Sequence, residues 1–238
     1  MNLKLFVFNG GPAPRRVVIY LVERNFNEDA SVELIQCTIA APGAPALAPG
    51  KPPGSVPLLH HPATGFTLRE SLAIIDYLED MAEVQGLWTM RGRTPKDRAK
   101  TKEMLGLIDA VTTDVEYAPA FGCRLFAPVV GGEQSPAAVR WLLSRANQSL
   151  ERIAEYAAEG TPWLLRFERE EEAQVTVADC ALFAILQYAE NMFGWDLTED
   201  HPRLKTFYGA FKLRQSASIP EGTWPTQLTD MTKDWIEY

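Results

Sequence analysis

Glu70 and Ser71 stand side by side at the head of a run with helical spacing, and Ser55-Val56-Pro57 stands shortly upstream. A helix start offers unpaired N–H groups and a positive dipole end, so it suits an anionic ligand. Ser71 adds a hydroxyl, and Glu70 adds a carboxylate that would hold an ammonium. Together they fit the head of an α-amino acid, with its carboxylate on the helix start and Ser71 and its amine on Glu70. Pro57 lacks the donor that a central strand needs, so it belongs at a strand's first residue or on an edge. That leaves the Val56 backbone free to pair with something other than a strand. The ligand described is an extended peptide with a free amino-acid head. The same residues also read as a hairpin followed by a helix, with Ser71 only a cap.

The elements that must position these residues follow from periodicity and punctuation. Residues 3–8 read as a buried strand, and Asn9-Gly10-Gly11-Pro12-Ala13 as a loop. Pro14 suits the first turn of a helix carrying Val17, Val18, Tyr20, Leu21 and Val22. Residues 31–37 form a second strand, and the Pro-, Gly- and Ala-rich stretch 40–54 an irregular connection. A strand over 55–59 then turns at 61–65, pairs briefly near Phe66-Thr67, and runs into the Ser71 helix. On that helix Leu72, Ile75, Leu78 and Met81 take one face, and Asp76, Glu79, Asp80 and Glu83 the other.

Beyond Pro95 no strand pattern is convincing. Helices are predicted over 98–115, with a continuation to Phe126 interrupted or kinked at Pro119, and over 136–158 and 203–215. Thr176, with Asp179 three residues on, reads as an N-cap and its partner. The helix behind them, 180–192, is apolar on nearly all sides and belongs at the centre of a second core. The expected plan is α/β followed by all-α: a first domain over 1–84 with a four-stranded mixed sheet, a linker over 85–94, and a helical domain over 95–238.

The 238 residues are 46% hydrophobic and 23% charged, ordinary for a globular protein with a substantial core. A net charge of −8 without a basic run argues against nucleic acid or an anionic membrane as partner. No apolar run approaches the roughly 20 residues of a membrane span. Three scattered cysteines, Cys37, Cys123 and Cys180, make no CxxC, and three histidines make no ligand cluster, so no metal is expected. The cysteine usage fits a cytoplasmic setting.

Lys51-Pro52-Pro53-Gly54-Ser55-Val56-Pro57, Leu68-Arg69-Glu70-Ser71-Leu72-Ala73-Ile74 with Asp76-Tyr77-Leu78, and Thr176-Val177-Ala178-Asp179 occur in this order along the chain. They resemble, respectively, the N-P-x-G-x-V-P approach, the E-S-x-A-I-x-x-Y-L helix start and the S/T-x-A-D capping motif of the glutathione S-transferases. The chain is similar to the cytosolic type of that family over nearly its whole length, in a fungal-like variant. The resemblance implies a thioredoxin-like first domain that binds glutathione. Pro57 would be cis, the Val56 backbone would pair with the cysteinyl part, and Glu70 and Ser71 would hold the γ-glutamyl head. Lys51 is the candidate for the glycyl carboxylate, or else a solvated loop lysine.

One departure bears on catalysis. Family members usually place a serine, cysteine or tyrosine at the end of the first strand to hold the glutathione sulfur, and here the loop carries no hydroxyl or thiol. A thiol of pKa about 8.5 is only about 3% ionised at pH 7, and lowering it by two units is worth about 2.7 kcal/mol. One hydrogen bond to a charged group supplies about 1.5–3 kcal/mol. The Asn9 amide, the Gly10 or Gly11 N–H, or the start of the following helix is therefore a sufficient substitute.

For the acceptor pocket the resemblance points to the second domain's first two helices, where Tyr117, Phe121, Cys123 and Phe126 are the large side chains, with Trp163, Met192 and Trp195 as additions. At helical spacing the same set also reads as core. The expected reaction is addition of the glutathione thiolate to a hydrophobic electrophile such as an enone or epoxide. A dedicated substrate, as in secondary metabolism, fits the unusual loop. Reversible addition would make the chain a double-bond isomerase that regenerates glutathione. The alternative is a non-catalytic protein holding glutathione or a hydrophobe on the same fold. A homodimer is expected, with the acidic face of the Ser71 helix meeting Arg91, Arg93, Lys96, Arg98, Lys100 and Lys102 of its partner about a two-fold axis.

Overall fold

The computed structural model describes residues 2–25, 32–158, 175–220, 223–224 and 226–238. Four strands, β1 (Leu3–Val7), β2 (Val32–Gln36), β3 (Leu58–His61) and β4 (Phe66–Leu68), form one sheet in the order β2-β1-β3-β4. β1 and β2 run parallel in the register Leu3↔Val32 to Val7↔Gln36, joined through α1 (Pro12–Glu23). β3 is antiparallel to β1, and β4 to β3. This is the thioredoxin-like sheet that the sequence predicts.

β1 is apolar at nearly every position because both faces of the sheet are covered. Leu3, Leu5 and Val7 enter the large core shared with α1 and α2 (Ser71–Val84), while Phe6 joins Cys37, Ala46 and Leu58 in a small cluster. The third strand begins at Leu58, after Pro57, because proline has no N–H to give the ladder. Helix α1 starts at Pro12, with Gly11 as its N-cap, two residues earlier than expected.

The second half is helical: α3 (Pro95–Gly122), α4 (Pro136–Ala158), α5 (Val177–Phe193), α6 (Pro202–Phe211) and the short α7 (Thr226–Met231), with 3-10 turns at Arg124–Val130 and Gln215–Ala217. Pro119 does not break α3. It stands in the last turn, and its carbonyl still accepts from the Cys123 N–H at 2.8 Å. The chain then tightens into the 3-10 turn that contains Phe126. α6 stops at Phe211, short of the expected Gln215. The Thr176 hydroxyl accepts from the Asp179 N–H at 3.2 Å, and Asp179 Oδ2 accepts from the Thr176 N–H at 2.8 Å, a complete capping box. Behind it α5 is buried at almost every position from Val177 to Ala189.

Two expectations are corrected. Glu79 is not on a solvated face: it is fully buried, and its carboxylate accepts from Tyr20 Oη (2.8 Å), Arg24 (2.7 Å), Thr89 Oγ1 (2.8 Å) and the Met90 N–H (2.7 Å). The helix therefore turns a stripe of Ile74, Ile75, Leu78, Glu79 and Ala82 inward, and Leu72 and Met81 are only half-buried. Nor are Arg91 and Arg98, two of the six basic residues expected to meet a partner's acidic face, left for a partner. Arg91 bonds Asp76 (3.2 Å), Asp80 (2.6 Å) and Glu83 (2.9 Å), and Arg98 reaches Glu83 at 3.1 Å, all within one chain. The Gly92 bend brings the basic segment back onto its own α2, where intramolecular pairing costs no association entropy.

The two halves are sewn together through α1. Buried Arg15 donates to Gln187 Oε1 (2.9 Å) and to the Ser216 and Ser218 carbonyls (2.7 and 2.9 Å). Glu23 accepts from Arg214 at 2.6 and 2.8 Å and from the Ser216 hydroxyl. These ties hold the sheet's first helix against α5 in the helical half of the chain.

Candidate functional site

The cleft lies between the start of α1, the segment before β3, the start of α2 and one face of α3. Its volume is about 200 Å³, and its walls are Ala13, Arg16, Ser55, Val56, Pro57, Glu70, Ser71, Asp109, Thr112, Thr113 and Glu116. It thus gathers Val56, Pro57, Glu70 and Ser71, four of the residues singled out in sequence. The Val56–Pro57 peptide is cis. Val56 precedes the strand, and neither its N–H nor its carbonyl has a hydrogen-bond partner among the described residues. Its backbone is an open edge facing a cleft.

Glu70 has φ +67°, a left-handed conformation that costs a residue with a Cβ of order 1–3 kcal/mol. This exposed carboxylate thus sits on strained backbone at the cleft wall. Ser71, one residue on, is buried, and its hydroxyl does not cap α2. It accepts from Arg16 Nε at 2.7 Å, and Arg16 also donates to Asp109 Oδ1 at 2.9 Å. A guanidinium has five N–H donors, so Arg16 keeps donors for a carboxylate entering beside Ser71. A buried cation next to a hydroxyl and a helix N-terminus has the chemistry to take an anion, and Glu70 beside Ser71 has the charge to take an ammonium.

Arg16 and the α3 wall were not recognised as site residues in sequence. The signals were present. Arg15 and Arg16 interrupt an otherwise apolar helix, and a charge in such a place must find a buried partner. Asp109, Thr112, Thr113 and Glu116 recur at i, i+3, i+4 and i+7, a polar stripe on a helix whose Met104, Ile108, Val111 and Val115 are buried. A polar stripe normally faces water; here it faces the cleft.

The loop residues Asn9, Gly10 and Gly11 do not line the cleft; Ala13 does. Asn9 is buried, and its Oδ1 has no hydrogen-bond partner among the described residues. Gly11 spends its N–H on the Phe8 carbonyl at 3.2 Å, and the Gly10 carbonyl accepts from Trp224 Nε1 at 3.3 Å. A Cβ at Gly10 would lie 2.6 Å from the Phe8 ring. Lys51 is off the cleft wall too, and donates to the carbonyls of Gly54 (2.5 Å) and Pro52 (3.2 Å) in its own loop.

The aromatic set expected as an acceptor pocket is not brought to the cleft. Tyr117 is exposed, while Phe126 meets Phe193 in an aromatic cluster with Trp195, Trp235 and Tyr238. Cys123 is fully buried and bridges to Trp235; burial pushes its thiol up, away from the reactive thiolate. Met192 is buried at the end of α5, and Trp163 lies outside the described residues.

Glu116 stands on the α3 wall, open to the cleft, with no ion pair or hydrogen bond shown to another described residue. Although the side chain still reaches solvent, the protein packed around it pushes its carboxyl up, to about 7, with Arg16 pulling the other way and Asp109 adding to the rise. Among the described residues no cluster of His, Cys, Asp and Glu is able to hold a metal, and no helix is long and apolar enough to cross a membrane.

Residues 5–86 match the family model of the glutathione S-transferase N-terminal domain. Among solved structures, the chain resembles a glutathione S-transferase of Methylobacillus flagellatus with glutathione bound, at 23% identity over 90% of this chain and 96% of that one, TM-score 0.69. It also resembles a glutathione transferase family member of Pseudomonas fluorescens with bound glutathione, at 21% identity over 90% and 96%, TM-score 0.68. Gtt2 from Saccharomyces cerevisiae aligns at 22% identity over 90% and 97%, TM-score 0.63. At such identities the likeness establishes the fold. No curated protein sequence matches.

Proposed function

We propose, from the match of residues 5–86 to the glutathione S-transferase N-terminal domain, that the chain binds glutathione in the cleft and adds its thiolate to an electrophilic small molecule. The observation that carries this is the unpaired Val56 backbone beside a cleft holding Arg16, Glu70 and Ser71. In this reading the cysteinyl unit pairs with Val56 as an added strand, a use of an open edge that draws affinity from main-chain bonds. The γ-glutamyl carboxylate enters between Ser71 and Arg16, its ammonium lies on Glu70, and Lys51 offers its remaining donor to the glycyl carboxylate.

Asn9, Gly10 and Gly11 shape the loop that presents Ala13. Any donor they offer the sulfur supplies at most one charged hydrogen bond, about 1.5–3 kcal/mol. The acceptor is a hydrophobic molecule with an activated double bond or epoxide; reversible addition would isomerise an enone and return glutathione. A cytoplasmic homodimer belongs to the same reading on the resemblance alone. Sedimentation at low micromolar concentration tests the dimer.

The first-loop sequence without hydroxyl or thiol favours a second reading, a protein that holds glutathione without turnover. Calorimetric titration with glutathione, followed by turnover of 4-phenyl-3-buten-2-one read by loss of its ultraviolet absorbance, separates the two. Binding with turnover is expected. Binding without turnover of this or other enones and epoxides selects the second reading, and no binding overturns both.

A further inference from the structure

Thiol addition is helped by a base near the sulfur, and the cleft's own inventory narrows which side chain could be one. Ser55 offers a hydroxyl, which is a poor base. Thr112 and Thr113 spend their protons on the Ile108 and Asp109 carbonyls of α3, at 2.8 and 2.9 Å. Ser71 is held by Arg16, and Asp109 is the ion-pair partner of Arg16. Glu70 is required for the ammonium. Ala13, Val56 and Pro57 have no side-chain base. Glu116 is left: a carboxylate on the opposite wall, with no ion pair to occupy it.

We propose that Glu116 is the proton shuttle of the transferase reaction, taking the proton from the glutathione thiol and returning it to the acceptor after the sulfur has added. The inference rests on the transferase reading above and replaces the first-loop hydroxyl by a carboxyl from α3. The step balances. The S–H bond breaks as a Glu116 O–H bond forms. The thiolate's pair makes the S–C bond while the C=C π pair moves onto the enone oxygen as an enolate. The Glu116 proton then passes to the enolate carbon, restoring the carboxylate, and the net change is addition of S–H across the double bond. Run backwards, the same shuttle serves elimination.

The surroundings suit the task. Arg16 faces Glu116 from α1, Asp109 stands two turns before it on α3, Glu70 lies across the cleft, and Tyr188 approaches from α5. Arg16 favours the carboxylate; the protein packed around the cleft and Asp109 disfavour it, which raises the carboxyl toward neutrality, where a general base and acid work best, while the side chain keeps its access to the cleft. Tyr188 is buried and its phenol is held protonated, so it does not compete for the proton.

The test is Glu116→Gln against wild type and Glu116→Asp, with glutathione affinity by calorimetry, Tm, and kcat/KM against pH for 4-phenyl-3-buten-2-one. A general base of this kind contributes about 100- to 10,000-fold. Glu116→Gln is expected to bind glutathione within threefold of wild type and melt normally, yet lose at least 100-fold in kcat/KM at pH 7. Its pH profile should lose the limb near 7 and climb toward the thiol's own ionisation, and Glu116→Asp should restore that limb in part. A Glu116→Gln profile unchanged in height and shape, in an enzyme that binds and turns over, overturns the shuttle alone. Wild type that fails to bind glutathione overturns the transferase reading and the shuttle with it.

Discussion

Two glutamates, one on either side of the same domain seam, are treated in opposite ways. Glu79 on α2 has both oxygens filled by Tyr20, Arg24, Thr89 and the Met90 N–H, and no water reaches it. Glu116 on α3 faces an open cleft and is shown with no partner at hydrogen-bond distance. Their arginines differ in place and not in how many donors are used. Arg24 is shut in between Glu79 and the Trp88 ring, where its Nε and Nη1, unpaired among the described residues, reach no ligand, whereas Arg16 holds Ser71 and Asp109 and turns its spare donors to a cleft. A charge whose valences are filled by its own chain builds architecture; one with valences left over at a cavity wall is ready for a ligand. Distance from the core does not separate the two cases, since Ser71 and Arg16 are as buried as any core residue.

If that division is right, removing Glu79 should break the protein and leave the chemistry alone. Glu79→Ala strands Arg24 and the Met90 N–H in the interior, and breaking a buried pair on one side costs about 3–5 kcal/mol. Urea unfolding should show a loss of that size, while the fraction still folded binds glutathione as wild type does. A small change in stability would mean that the network is looser than its geometry. Removing Arg16 should do the reverse. Arg16→Ala is expected to weaken glutathione by about 1.5–3 kcal/mol, roughly 10- to 150-fold, with Ser71→Ala and Glu70→Ala each at about 1–3 kcal/mol. Calorimetry that finds all three unchanged would remove the cleft from consideration.

The same division explains what the chain disclosed before its structure was seen. The sheet, the Ser71 helix, α4 and the Thr176–Asp179 box were legible because each rests on local periodicity or a local cap. The backbone edge at Val56 was legible because Pro57 announces it. Glu79 was misread because helical periodicity sorts residues by polarity, and a carboxylate that buries itself on Tyr20 and Arg24 looks identical in sequence to a solvated one. The role of Arg16 depends on Asp109, far along the chain and in the other half of the molecule. No local pattern joins them. Cys123 was placed by the same local reasoning, yet the C-terminal segment pairs with it through Trp235 at the end of α3, and sequence gives no measure of what folds over a helix.

A smaller effect lies at Asp179, which shares Glu79's burial without its full set of partners. Oδ2 closes the capping box, but Oδ1 has no hydrogen-bond partner among the described residues. Burial therefore wins over the Thr176 bonds and over Arg214, with Glu23 adding to it, and raises this carboxyl to about 7 from an ordinary value near 4. A carboxyl whose folded pKa is raised favours folding while protonated, so its contribution is full below about pH 4 and is lost as the pH rises through about 7. Asp179→Ala should cost about 1 kcal/mol as a lost cap. The gap from wild type should be widest near pH 4, shrink between pH 4 and 7, and stay small toward pH 8, as denaturant melts at each pH would show. A gap that widens with pH would place the charged form in the native state instead.

The smallest effect is expected at Lys51, where filled and free valences meet in one side chain. Its ammonium has three donors, and two are given to the Gly54 and Pro52 carbonyls of its own loop. Only the third remains for a glycyl carboxylate, at a half-exposed site where water and salt screen the attraction. An exposed ion pair of this kind is worth about 0.2–1 kcal/mol, so Lys51→Met should weaken glutathione no more than about fivefold. The decisive measurement repeats the titration with γ-glutamylcysteine, which lacks the glycyl unit. If Lys51 meets that carboxylate, the variant and wild type should bind the dipeptide equally, and the difference with glutathione should shrink in 0.5 M salt. Equal losses with both ligands would show that Lys51 acts only by bracing the loop before Val56, and would move it to the architectural side of the comparison with Glu79.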